Sequence, residues 1–361
     1  MEGRSQGRGL SDTGQVPAEV AQEPWTVRPY RPGDEGQILA LFKKVFGVER
    51  SLEHWHWKFR DNPGGGTHIY LAVTASGRIV GQYAGLPVLM RWDGETLRLT
   101  QIIDVMVAPD FRAGLKKPGM FVKLADGYIR GYGGPGRTAG GFGFPPPLAL
   151  RIGRLVGYTD LHNVQQLAKS LQDAPSPAWS RPIASWQWVV EEVRAFDGRA
   201  DRLWTSCSSE LPLAAIRDAR YLNWRYARHP EVHYRLFIIR RRLSDEWAGL
   251  AVLRLGCGKA TAYLGQGEEA ACLVDWLMPL APQGPAELLL ARCEAIAREA
   301  GMKAMYTWFR PDSSHWRLFL ELGFRPEPTP MHFVALRCID TISLEWARHC
   351  WYYTMGDSDL Y

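Results

Sequence analysis

The chain has 361 residues, of which 46% are hydrophobic and 22% are charged, so it is large enough for two units that each form a core. Its formal net charge of +5 is mild and is not gathered into a long basic run, which excludes the charge pattern of a dedicated nucleic-acid binder. No apolar stretch approaches about 18 residues, and the first residues lack the apolar core of a signal peptide. We therefore expect a cytoplasmic protein without a membrane span.

The first unit is placed at 25–172, after a polar tail over 1–24 that is predicted to be disordered. A strand begins at Val27, and Asp34 caps a helix that carries apolar residues at helical spacing. Ser51 caps a short second helix, which ends before a glycine-rich turn. The elements that follow are strands over 69–74, 79–89, 97–107 and 138–144, helices over 118–132 and 147–156, and an extended segment over 158–171.

A proline-rich linker is predicted over 173–185, and a second unit over 186–340 repeats the plan of the first. The tail over 341–361 is aromatic and acidic, and a frayed chain end is the simplest expectation for it. The elements of the second unit are helices over 213–228, 285–300 and 313–322, and strands over 234–241, 247–255, 271–277, 303–309 and 333–337.

Five landmarks of the first unit recur in the second, in the same order and at a nearly constant separation along the chain. A duplicated unit explains both their order and their spacing. Chance recurrence in a chain with 15 tryptophans would explain neither. The pairs are Trp57 and Trp224, Gly81 and Gly249, Asp104 and Asp275, Pro145 and Pro311, and Gly157 and Gly323.

The segment Val105-Met106-Val107-Ala108-Pro109-Asp110-Phe111-Arg112 and the order of elements around it resemble the GCN5-related N-acetyltransferase (GNAT) family. The resemblance implies an α/β (α+β) protein with two tandem GNAT-like domains. Each domain would have a mixed, mostly antiparallel central sheet flanked by helices. In that fold the central strand splits from its neighbour, and the pantetheine arm of an acyl-CoA lies in the opening.

The resemblance also implies which residues hold the acyl-CoA in the first unit. A helix start offers unpaired N–H donors and partial positive charge to a pyrophosphate. The glycines of this loop do not fall where the family has them, so a surface turn with solvated lysines is the alternative. In the second unit the loop over 279–285 has three prolines and no arginine, so we expect it to shape the acceptor pocket instead. The implied cofactor-binding residues are Val105, Met106, Val107, Arg112, Ala113, Gly114, Lys116, Lys117 and Gly119.

Acyl transfer to an amine needs a proton acceptor, and the family's usual tyrosine acid is replaced by Gly153 and Phe319 in the two units. Asp104 is the candidate base. A structural carboxylate is the alternative, which its repetition as Asp275 favours.

Trp57 and Asp357 are the candidate substrate contacts. Trp57 borders the acceptor groove of such folds, although its repetition suits a packing anchor. Asp357, with Asp359 and the last carboxylate, lies on a tail that could reach a cleft between the units. His54 and His56 share a face but lack a third ligand, so no metal is expected. The six cysteines, all in the second half, are expected to be reduced thiols.

The sequence thus predicts an acyltransferase that uses acetyl-CoA, or another acyl-CoA, and the primary amine of a small molecule or amino sugar. One alternative is a FemX-like aminoacyl transferase, which would use aminoacyl-tRNA and would be the only reading with a nucleic-acid partner. The other alternative is a non-catalytic binding protein of GNAT fold. No membrane partner is expected under any of the three.

Overall fold

The computed structural model describes residues 23–112, 119–172, 186–256, 267, 269–281 and 283–361. The first half contains β1 (Trp25–Pro29), α1 (Glu35–Phe46), α2 (Leu52–Trp55), a π-helical turn (His56–Arg60), β2 (His68–Thr74), β3 (Ile79–Trp92), β4 (Glu95–Val107), a 3-10 turn (Pro109–Phe111), α3 (Met120–Tyr132), β5 (Gly140–Gly143), α4 (Pro147–Gly153), a 3-10 turn (Arg154–Val156) and β6 (Thr159–Ser170).

The second half repeats this order with two added strands. It contains β7 (Trp188–Val193), α5 (Gly198–Ser208), β8 (Leu213–Ala215), α6 (Ala219–Leu222), a π-helical turn (Asn223–Ala227), β9 (Arg235–Arg241), β10 (Trp247–Leu255), β11 (Ala270–Leu277), α7 (Gln283–Glu299), β12 (Ala304–Trp308), α8 (Ser314–Glu321), β13 (Arg325–Arg337), α9 (Leu344–Cys350), β14 (Trp351–Tyr352) and a 3-10 turn (Met355–Asp357).

Local sequence accounts for most of these elements. In α1 the residues Ile38, Leu41 and Phe42 are buried at helical spacing, and Gly47, with φ of 73°, supplies a left-handed C-cap. Side chains of Ser51 and Asp218 accept hydrogen bonds from the first turns of α2 and α6, at corresponding places in the two halves. The predicted α/β fold class is confirmed.

The strands join in one sheet in the order β1-β2-β3-β4-β5-β13-β6-β12-β11-β10-β9-β7. The corresponding strands β6 and β13 each pair with the other half, because β13 is antiparallel to β5 and β6 is antiparallel to β12. β6 and β13 also pair with each other at the centre of the sheet. The two halves are therefore interlocked by a reciprocal exchange of strands.

Two sequence predictions are wrong in this region. The helix predicted over 213–228 begins as β8, because this short segment pairs with Met90–Trp92 of β3 and with β14. These long-range pairings override the local helical pattern. The tail does not fray: Trp351, Tyr352, Tyr353 and Met355 are all buried.

Candidate active site

The central strands of the first half separate beyond their first few residues. Leu99, Thr100 and Gln101 of β4 pair in parallel with β5, and β4 then continues to Val107 with no further pairing to the described residues of β5. The opening therefore lies where the freed edge of β4 leads toward the start of α3. Main-chain groups on such an edge are available to hydrogen-bond a ligand.

A bulge in β4 lies at this opening. Against β3, Met106 pairs with Gln82 and Ile103 pairs with Ala84, so β4 has one extra residue between them. Asp104 lies in the extra stretch with φ of 48°, an uncommon value for a residue other than glycine. The side-chain amide of Gln82 donates to the Asp104 carbonyl at 3.0 Å, which supports this conformation.

The Asp104 carboxylate lies between two cations. Arg50 donates to both of its oxygens, and the Lys58 Nζ lies 3.4 Å from Oδ1. Burial by itself would raise the pKa of Asp104, but the charges of Arg50 and Lys58 outweigh burial and hold the pKa well below its ordinary value. Because the carboxylate is ionised and already paired, it is a weak proton acceptor at neutral pH.

Lys58 lies at the centre of this cluster, and only 6% of its side chain is exposed. Desolvation by burial lowers the pKa of Lys58, although the neighbouring Asp104 opposes that effect. Its second ionic contact is Asp359 of the tail, with Oδ2 at 3.5 Å. We call Arg50, Lys58 and Asp104, with the side chain of Asp359, the first groove.

The predicted cofactor-binding residues follow the bulge. Val105 and Val107 are partly exposed, whereas the Met106 side chain is buried in the core. The Arg112 Nε donates to the Val107 carbonyl at 3.1 Å, so this cation lies at the end of β4. Gly119 is the N-cap residue of α3. The other four residues, Ala113, Gly114, Lys116 and Lys117, lie outside the described residues.

The ring of Tyr158 lies beside Gly153, the position at which the family has its tyrosine. A Cβ at Gly153 would lie 2.3 Å from the ring of Tyr158, so this position has no room for a side chain while Tyr158 is in place. The Tyr158 hydroxyl is 2.7 Å from the Tyr83 hydroxyl. Burial raises the pKa of Tyr158, which keeps the phenol protonated at neutral pH.

The second half repeats the charged cluster in a closed form. Arg217 follows Arg50 at the same offset as Trp224 follows Trp57. It binds Asp275 through Nε at 3.0 Å and Asp357 through Nη2 at 2.6 Å, and its side chain is fully buried. The Tyr226 hydroxyl and the Thr354 hydroxyl also donate to Asp275. We call Arg217, Arg225 and Asp275 the second groove.

The chain's own tail fills the second groove. Arg225, which corresponds to Lys58 at that same offset, donates to the main-chain oxygens of Gly356, Ser358 and Tyr361 at 3.1, 3.0 and 2.6 Å. A side-chain bond from Thr307 to the Leu273 carbonyl, at 3.0 Å, also joins β12 to β11 beyond their last pair. In the second half the tail thus occupies the position beside Arg225 and Arg217.

The two candidate substrate contacts, Trp57 and Asp357, are both buried and paired with other side chains. Trp57 stacks on Trp224 with ring centroids 4.9 Å apart, and each indole N–H donates to the other's carbonyl, at 2.7 and 2.8 Å. This pair joins the halves at corresponding positions, as expected of packing anchors. Asp357 is buried against Arg217 in the second groove, away from Lys58 and Asp104.

Sequence reasoning missed the cations of both grooves. Arg50 and Arg217 have the same separation along the chain as the two tryptophans, and so do Lys58 and Arg225. Extending the repeat from Trp57 to its charged neighbours would have identified them. The Tyr158 hydroxyl was missed because its position differs from that of the family's tyrosine.

Three further features concern metal ligands, helix length and cysteines. The described residues contain no group of three metal-ligating side chains arranged to hold a metal ion. Within this part of the chain, no helix is both long and apolar enough to cross a membrane. Cys207, Cys293, Cys338 and Cys350 are free thiols, whereas Cys272 is disulfide-bonded, so the expectation of six reduced thiols is wrong there.

Residues 26–126 match a family model described as an acetyltransferase (GNAT) domain. A search among curated protein sequences finds no match. Solved structures match at low sequence identity, so they inform on the fold alone.

One similar structure is a conserved protein of unknown function from Enterococcus faecalis V583, a probable N-acyltransferase. It is 12% identical, with 87% of this chain and 73% of that chain covered and a TM-score of 0.62. A GCN5-related N-acetyltransferase from Kribbella flavida is 14% identical, with 88% and 72% covered and a TM-score of 0.60. The N-myristoyltransferase of Saccharomyces cerevisiae is 11% identical, with 93% and 86% covered and a TM-score of 0.52. The chain thus has a fold similar to that of GNAT proteins, and its residues 26–126 match the model of an acetyltransferase (GNAT) domain.

Proposed function

We propose that the first half transfers an acyl group from an acyl-CoA, with acetyl-CoA the expected donor, to the primary amine of a small molecule or amino sugar. The observation that carries this proposal is the freed edge of β4 between Gln101 and Val107, which leads to the start of α3. An edge of this kind can pair with the amides of a pantetheine arm, and a helix start suits a pyrophosphate.

The proposed binding residues act mainly through their backbone. Main-chain groups of Val105, Met106 and Val107 would pair with the pantetheine arm. Arg112 and the N–H groups that follow Gly119 would face the phosphates, together with Lys116 and Lys117. In the second half the tail fills the corresponding groove, which supports one acyl-CoA site in each chain.

The reaction requires no net proton change. The neutral amine nitrogen attacks the thioester carbonyl carbon, the C–N bond forms and the C–S bond breaks. The nitrogen loses one proton and the departing CoA thiolate gains one, which yields an amide and free CoA. We assign the proton donor to the Tyr158 hydroxyl, because the family's tyrosine is absent and burial keeps this phenol protonated. Asp104 holds Arg50 and Lys58 in place, since both of its oxygens are already paired with these cations.

Calorimetry with acetyl-CoA on the full chain tests the proposal. We expect saturable binding at one site per chain, and release of the CoA thiol when a suitable amine is added. Two equivalent sites would contradict the assignment of a single functional half. Binding without thiol release on any amine would favour the non-catalytic alternative. No binding, with salt-sensitive binding of tRNA instead, would favour the FemX-like alternative.

A further inference from the structure

The two grooves are copies of one design, and only one of them is filled by described residues of the chain. Each contains an arginine, a second cation in a π-helical turn and an aspartate on the central strand. These are Arg50, Lys58 and Asp104 in the first groove, and Arg217, Arg225 and Asp275 in the second. The turns cover His56–Arg60 and Asn223–Ala227, so Lys58 and Arg225 both occupy the third position. What binds in the second groove therefore indicates what the first groove is built to bind.

The occupant of the second groove is a peptide segment, residues 354–361 of the same chain. Arg225 donates hydrogen bonds to three main-chain oxygens of this segment, those of Gly356, Ser358 and Tyr361. This is recognition of a peptide backbone, because the oxygens belong to three different residue types. The Tyr361 ring completes the contact by packing edge-on against Trp308, with centroids 5.2 Å apart.

In the first groove the corresponding cation has two carboxylate contacts among the described residues, and both are long. The Lys58 ammonium can donate three hydrogen bonds, and its two carboxylate contacts, with Asp104 and Asp359, are 3.4 and 3.5 Å long. Both exceed the usual N–H···O range. Because the side chain is almost fully buried, a further oxygen ligand would offset its cost of desolvation.

Asp359 is the most exposed residue of the first groove. A third of its side chain is exposed, whereas the carboxylate of Asp104 is almost completely buried. Beside the Arg50 end, three apolar side chains are exposed, those of Phe46, Val48 and Leu52. Phe46 packs on Phe42, whose ring Arg50 covers at 3.9 Å. A ligand that binds here would thus contact apolar side chains as well as the charged groups.

We propose that the first groove takes a peptide-like acceptor, an amino acid derivative or a peptide whose main-chain oxygens accept hydrogen bonds from Lys58. This inference rests on the proposed acyl transfer, since the acceptor's amine is then the group that attacks the thioester. It replaces the broad class of small amines and amino sugars with acceptors that carry an amide or carboxylate next to an apolar side chain. The exposed side chains of Phe46, Val48 and Leu52 would pack against that apolar side chain.

The test uses the full chain and two kinds of measurement. The first is calorimetric titration with a synthetic peptide of residues 354–361, N-acetylated so that it cannot react. The second is thiol release from acetyl-CoA, with short peptides carrying a free amine compared against glucosamine. We expect the peptide to bind, and peptides to be acylated at least about 10-fold more efficiently than glucosamine, as the loss of a charge-assisted contact would give.

Variants at two positions make the test specific to the first groove. Lys58→Met should weaken peptide binding at least about 10-fold, whereas Lys58→Arg, the residue of the second groove, should keep it within about 3-fold. Asp359→Ala, at a partly exposed site, should tighten binding because it removes a competitor for Lys58. Peptide affinity unchanged by all three variants would overturn the inference, as would preference for glucosamine, and neither result would touch acyl-CoA binding. Absence of acyl-CoA binding would instead overturn the proposed function, while the peptide titration would still report on the groove.

Discussion

The two grooves show how one duplicated design acquires two roles. In the first groove Asp104 is paired with Arg50 and Lys58, and the adjoining strand edge is free beyond Gln101. In the second groove the corresponding charges are fully buried, and the chain's own tail provides the remaining partners. Satisfying every charge internally favours stability, whereas leaving a buried cation with long contacts favours ligand binding. The contrast predicts that equivalent substitutions have different effects in the two halves.

Replacement of Arg50 and of Arg217 should give the largest difference in stability loss between the two halves. Arg217→Met leaves Asp275 and Asp357 buried without their cation, so we expect a loss of about 3–5 kcal/mol in the free energy of unfolding. Arg50→Met leaves Asp104 with Lys58 and should cost about 1–3 kcal/mol. Urea denaturation followed by fluorescence measures both. Equal losses would contradict the view that only the second groove is structural.

Tyr158→Phe gives the first half the residue that the second half has, since Phe324 occupies the corresponding position after Gly323. If the hydroxyl protonates the departing thiolate, turnover should fall about 100-fold, the lower end for a positioned acid. Acyl-CoA affinity should stay nearly the same, because the ring itself is retained. Tyr83→Phe, which removes the partner hydroxyl at 2.7 Å, is the matched control and should have a smaller effect on turnover. Unchanged turnover in Tyr158→Phe would remove Tyr158 from the mechanism.

Asp104→Asn separates a structural carboxylate from a base. Because two cations bind Asp104, we expect a stability loss of about 1–3 kcal/mol and less than about 100-fold loss of turnover. Asp275→Asn is the matched change in the other half and should lower stability without affecting acyl-CoA affinity. Melting curves and pH–rate profiles of the two variants decide the matter. A normal melting temperature with a reaction slower by about 100- to 10,000-fold, partly restored at higher pH, would show that Asp104 is the base after all.

Charge reversal in the loop before α3 tests where the phosphates bind. Lys116→Glu with Lys117→Glu should weaken acyl-CoA binding about 10- to 100-fold, because cations near phosphates form charge-assisted contacts. The melting temperature should change little if the two lysines are solvated, as their sequence context predicts. Arg241→Glu with Arg242→Glu makes the same change in net charge on the exposed end of β9, and should leave affinity unchanged. Equal weakening by both pairs would indicate a general electrostatic effect.

The smallest expected effect is the contribution of His229 to the pH dependence of stability. Burial and the nearby Arg225 lower the pKa of His229 from 6.5 to about 2, with His54 adding to the shift. The folded state therefore binds fewer protons than the unfolded state between these values, and stability falls as the pH is lowered below 6.5. His229→Asn introduces the residue of the corresponding position in the first half, Asn62, which accepts a main-chain N–H in the same way. Its unfolding free energy should lose up to about 1 kcal/mol less for each pH unit below 6 than that of the native chain. Parallel curves for the two proteins in urea at pH 7, 6 and 5 would contradict this assignment.

Local patterns in the sequence were enough to predict most elements of the first half, including the central strand β4, and the repeat of several of them in the second half. They did not predict β7, α5, α9 or β14. The predicted helix over 118–132 corresponds to α3, whose first described residue is Met120. Patterns of periodicity could not reveal β8, because its two strand partners lie far away in the chain. They also gave no sign that Asp104 pairs with Arg50, since spacing along the chain does not report the charge that faces a bulge. The repeat contained that information, but only when read residue by residue.

The exchange of β6 and β13 has a consequence for how the chain is made. Synthesis proceeds from the N-terminus, so β5 emerges long before the strand that covers its outer edge. An uncovered strand edge is a template for pairing with other chains, and closing it requires contacts between residues more than half the chain apart. The edge of β5 in the nascent first half is therefore open to aggregation until β13 has left the ribosome.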